Sequence, residues 1–92
     1  MTNKEINIAI AEYCGKDADY INDLDAIYNA IHILPSGLRD NTFTSILAMV
    51  CGFKAHGVES WSELHAGRFA VINATAAQRA KAFLKTIDKW KE

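Results

Sequence analysis

The chain has 92 residues, of which 50% are apolar and 23% charged, and a net charge of −1. That composition belongs to a chain that folds rather than to a disordered tail, and at this length it makes one domain, residues 1–92, burying only about 60–65% of its unfolded surface. No apolar run approaches the ~20 residues that cross a bilayer, and the first residues lack a signal-peptide layout, so a cytoplasmic protein with no membrane partner is expected.

Taken in chain order, Thr2 and Glu5 form a T-x-x-E capping box, in which each side chain satisfies a free backbone N–H at the other end of the first turn. Ile6, Ala9, Ile10, Tyr13 and Cys14 then recur at helical spacing, and Gly15 supplies a left-handed stop, which predicts a helix over 3–14. Asp17 or Asp19 can cap a second helix, whose apolar series Tyr20, Ile21, Leu24, Ile27, Tyr28, Ile31 and Leu34 ends at Pro35. Its opposite face, with Asp19, Asn22, Asp23, Ala26, Asn29 and Ala30, is acidic at the helix start, where the backbone dipole favours negative charge.

Leu38, Phe43, Ile46, Leu47 and Val50 predict a third helix that starts between Ser36 and Thr42 and ends at Gly52. After a turn at Gly57, Ser60 and Glu63 form a second capping box before Trp61 and Leu64, giving a short helix that ends near Gly67. "RFAVIN", residues 68–73, reads as a linker or short helix, with a strand as the alternative. Thr75 and Gln78 complete a third capping box, and the last helix is expected from 76 to 90. Its core stripe is Ala76, Ala80, Phe83, Ile87 and Trp90, with Ala77 and Leu84 beside it. The fold class that follows is mainly α, a compact bundle of about four helices, with α+β as the alternative if 68–73 is a strand.

Charge is unevenly distributed. Residues 1–40 carry three cations against seven carboxylates, or −4, and residues 41–92 carry seven against four, or +3. Cys14 and Cys51 match no zinc or redox spacing, and His32, His56 and His65 do not pair with them on one helix; buried free thiols are the reading, with no metal and no cofactor. No phosphate-cradling loop, H-E-x-x-H or G-x-S-x-G motif is present, and no catalytic residue is assigned.

The order of "INIAIAEYCG", "DYINDLDAIYNAIHILP" and the terminal "ATAAQRAKAFLKTIDKW" resembles a group of small uncharacterised phage and prophage proteins. Those proteins share an "NDLNAMHEAEKxL" type segment, matched here by Asn22 to Ala26, and an "ATAAQRAEAFLRTLGxW" type helix, matched by Ala74 to Phe83 with Lys81 where glutamate is common. Some members are assigned to an alpha-beta-alpha sandwich domain; the tryptophan-containing insert that can supply its strands is replaced here by "KDADY" directly after Gly15. The resemblance implies an origin in a phage or mobile element, and no activity.

Two surfaces are candidates for function. The acidic one is Glu12, Tyr13, Asp17, Asp19, Tyr20 and Asp23, with charge to steer toward a basic groove and aromatics to anchor in it. With the phage resemblance, it suggests a non-enzymatic inhibitor of a host defence or nucleic-acid-handling complex, comparable to an anti-CRISPR protein in the host cytoplasm. The basic one is Arg79, Lys81, Lys85 and Lys89, the three lysines being a row at i, i+4 and i+8 that can bind nucleic acid directly. Sequestration of a nucleotide ligand between subunits by Arg39 or Arg68 is a third possibility, with oligomeric state left open.

Overall fold

A computed structural model describes residues 1–52 and 74–92. Expectations for residues 53–73, among them the Gly57 turn, the Ser60–Glu63 box and the strand or linker at 68–73, lie outside the described residues, as do His56, His65 and Arg68.

The described residues form α1 (Asn3–Cys14), α2 (Leu24–Ile33), a π-helical segment (Leu38–Phe43), α3 (Thr44–Val50) and α4 (Ala76–Thr86). No strand occurs among them, and the architecture is the expected small bundle of helices. The capping box of α1 is made on both sides: the Glu5 N–H donates to Thr2 Oγ1 at 3.2 Å and the Thr2 N–H to Glu5 Oε1 at 3.0 Å. Gly15 ends the helix at φ +74°, in the left-handed region where a side chain would be strained. The same reciprocal box, Thr75 with Gln78, starts α4.

The second helix corrects the sequence reading. Neither Asp17 nor Asp19 caps it; Asp23 does, with Oδ1 accepting from the N–H groups of Asp25 at 3.0 Å and Ala26 at 3.3 Å. Residues 19–23 are a turn, closed by Asp23 N–H donating to the Asp19 carbonyl at 2.9 Å. Tyr20 and Ile21 continue the apolar spacing of α2, but they are buried from this turn rather than from a helix. Leu24 and Tyr28, expected in the core, are more than half exposed, and Ala30, expected outside, is buried. The later start places Ile27, Ala30 and Ile31 inward together.

Helical structure resumes at Ser36, the early limit of the expected range, with the Arg39 N–H donating to the Pro35 carbonyl at 2.9 Å. The π-helical segment follows, and the Thr44 hydroxyl donates to the Arg39 carbonyl at 3.2 Å beyond it. α4 is the centre of the bundle, packing on α1, α2, α3 and the π-helical segment. Ala80, Ala82, Phe83 and Leu84 are fully buried, so the inward surface is wider than the single stripe expected; the small alanines let neighbouring helices approach closely. Ala77, expected beside the core, is exposed.

α4 stops at Thr86, one turn short of expectation. Asp88 adopts φ +60°, its N–H donates to the Lys85 carbonyl at 3.2 Å, and the Lys89 N–H donates to the Leu84 carbonyl at 2.8 Å. That pair of bonds is a Schellman stop with an aspartate in the left-handed position that glycine usually fills. Ile87 and Trp90 therefore leave the helical face and are only partly buried.

Candidate functional site

The six residues of the expected acidic surface do not form one patch. Tyr20 is 3% exposed and its hydroxyl donates to the Lys16 carbonyl, so it anchors the turn and offers nothing to a partner. Burial, followed by the charges of Cys14 and Asp17, pushes its hydroxyl above the ordinary tyrosine value. Asp19 belongs to a clamp between α1 and the turn. Asn7 Nδ2 donates to Asp19 Oδ1 at 3.2 Å while Asn7 Oδ1 accepts from the Ile21 N–H at 3.3 Å, and Asn22 Nδ2 donates to Asp19 Oδ2 at 3.1 Å. Asp23 is committed to capping α2.

Glu12 and Tyr13 lie elsewhere. Glu12 is five residues past Asn7, which places it about 140° around α1 from the clamp. There it lines a groove of about 570 Å³ between α1 and the C-terminal tail. One wall is α1, with Glu5 and Glu12; the other is the tail, with Lys89 and Lys91; Ile8, Ala9, Tyr13 and Ile87 supply apolar lining. Tyr13 is 41% exposed, and its ring meets Phe83 edge-on, with centroids 5.4 Å apart at 80°. The tail runs antiparallel to α1: the Met1 amino nitrogen donates to the Lys91 carbonyl at 3.3 Å, while Tyr13 packs at the Phe83 end. Lys91 thus lies near Glu5, and Lys89, two residues earlier in the antiparallel tail, lies further toward the Glu12 end.

What remains of the acidic surface is the turn and the start of α2, with Asp17, Asp19, Asp23 and Asp25 all exposed. Among the described residues the ion pair is Arg39 Nε with Asp40 Oδ1 at 3.3 Å, so no cation pairs with these carboxylates. Asp17 and Asp25 also make no side-chain hydrogen bond there.

The basic row is divided too. Because α4 ends at Thr86, Lys89 faces the α1 groove, whereas Lys81 and Lys85 border a separate groove of about 300 Å³ with Ile46, Met49 and Val50 of α3. The Lys81 ammonium stands 5.1 Å from the Trp90 ring centroid, a cation–π contact that occupies it within the chain. Arg79 Nε donates to the Ala74 carbonyl at 3.3 Å. The i, i+4, i+8 array expected to follow a phosphate backbone does not exist as one surface. Of the nucleotide-binding candidates, Arg39 is turned to Asp40.

Cys14 and Cys51 are free and half-buried, and burial raises both thiols above their ordinary value, with Arg79 acting in the opposite direction on Cys51. Among the described residues no three histidine, cysteine or carboxylate side chains converge on a point that could hold a metal, and no helix is long and apolar enough to cross a membrane. No protein-family model matches the chain, and neither a curated protein nor a solved structure matches it.

Proposed function

We propose that this is a small non-enzymatic binding protein that acts by occupying a basic surface of a partner through the carboxylates of residues 17–25. One observation carries the reading: four exposed carboxylates lie within nine residues, and no cation pairs with them among the described residues. Exposed charges that no cation neutralises accelerate encounter with an oppositely charged surface, and Asp17 and Asp25, which make no side-chain bond among the described residues, form new pairs without first breaking old ones. Taken with an origin in a phage or mobile element, the partner proposed is a host defence or nucleic-acid-handling complex in the cytoplasm, whose phosphate-binding groove is lined by lysine and arginine. Blocking that groove inhibits stoichiometrically, with no active site required.

The test must spare the fold. Asp19 and Asp23 hold the clamp and the α2 cap, so reversing them confounds binding with unfolding. Asp17→Lys with Asp25→Lys reverses two charges that make no side-chain bond among the described residues. Partners captured from host lysate by the parent protein are expected to be lost with this variant, and binding of the captured partner is expected to weaken with salt. Identical capture by both proteins, at low and high salt, would sink the proposal.

A further inference from the structure

We infer that the groove between α1 and the C-terminal tail is filled by the same groove of a second copy of this chain, forming a two-fold dimer. Apart from the Met1 amino group, which is tied to the Lys91 carbonyl, the charges of the groove are opposite on opposite walls, Glu5 and Glu12 on α1 and Lys89 and Lys91 on the tail, over apolar side chains. Ile8 is 47% exposed, a large apolar side chain left in water on the outer face of α1.

The arrangement is self-complementary. A two-fold axis laid along the groove exchanges left and right as the copies come face to face. Each glutamate wall then lies over the other copy's lysine wall, at the same height along the axis. Glu12 meets the partner's Lys89, Glu5 meets the partner's Lys91, and Ile8 and Ile87 close against their counterparts across the axis. A single-sign partner, such as nucleic acid or an acidic peptide, would satisfy one wall and be repelled by the other. The inference does not depend on the acidic turn, because the clamp lies about 140° around α1 from Glu12.

Charge exchange tests it. The parent protein is expected to sediment and scatter light as a dimer whose population falls on dilution. Glu12→Lys alone and Lys89→Glu alone each place like charges across the interface and should weaken the dimer at least tenfold. The double variant E12K/K89E restores opposite charges and should recover the parent affinity. Neither side chain makes a hydrogen bond among the described residues, and a lysine near the C-terminal end of α1 suits the helix dipole, so folding is expected to survive, as checked by circular dichroism. Ile8→Asp gives an independent disruption through the apolar lining. A parent protein that is monomeric at every concentration overturns the inference. So do single reversals that dimerise like the parent, or a double variant that fails to recover.

Discussion

Truncating Phe83 to alanine probes the centre of the bundle. The ring is 0% exposed, lies in the third turn of α4, and meets Tyr13 of α1 edge-on. Removing such a side chain costs about 3–5 kcal/mol, the lost transfer energy plus the cavity left behind. A domain of this size holds roughly 5–14 kcal/mol in all, so the loss is about a fifth of its stability or more. Phe83→Leu separates the two contributions. It keeps most of the apolar volume and gives up the aromatic pair, worth about 0.5–1.5 kcal/mol, at the low end here because Tyr13 is partly in water. Urea unfolding followed by circular dichroism measures both. With a slope of roughly 1.5 kcal/mol per molar, Phe83→Ala should lower the midpoint by about 2–3 M and Phe83→Leu by less than about 1 M. A loss under about 1.5 kcal/mol for Phe83→Ala would refute the placing of α4 at the core.

Three further outcomes follow from local chemistry. Hydrogen bonds with the backbone and side chain of Thr2 hold Glu5 below its ordinary value of 4.5. Since the folded value is the lower one, its contribution is complete above 4.5 and is lost as pH falls through the folded value. Glu5→Gln keeps an acceptor for the Thr2 N–H, and its urea midpoint should vary less with pH on the acid side than that of the parent. Asp88→Gly relieves a left-handed aspartate and should raise stability by about 0.5–1 kcal/mol in the same urea assay; a decrease would mean that the aspartate side chain itself holds the turn. Asn7→Ala removes both arms of the clamp and should cost about 1–2 kcal/mol, with amide exchange at Ile21 accelerating more than at Ile10; equal acceleration at both would place Asn7 outside the clamp.

The helix starts were legible where a side chain closes a local ring. Thr2 with Glu5 and Thr75 with Gln78 are three residues apart, and nothing distant competes for them. The start of α2 departs from its apolar spacing for the opposite reason. Tyr20 and Ile21 keep helical spacing with Leu24, but they belong to a turn that Asn7, distant in sequence, holds against α1 through Asp19 and the Ile21 N–H. The end of α4 was hidden because aspartate, unlike glycine, does not announce a left-handed residue, and Ile87 and Trp90 fit the helical period whether or not the helix continues. The α1 groove joins residues 1–13 to 87–91, and the division of the lysines follows from that packing; no local spacing encodes either one.

Asp88 has an influence larger than its own energy. Its backbone angle chooses the direction in which the last residues leave α4, and hence which face of the molecule receives Lys89. A residue there that favoured helix would let α4 run on, returning Lys89 to line with Lys81 and Lys85 and stripping the lysine wall from the α1 groove. One position thus decides between a split distribution of positive charge, suited to matching a copy of itself, and a continuous cationic ridge, suited to a polyanion. Chains that differ at this site could exchange the kind of molecule they associate with while keeping the same core.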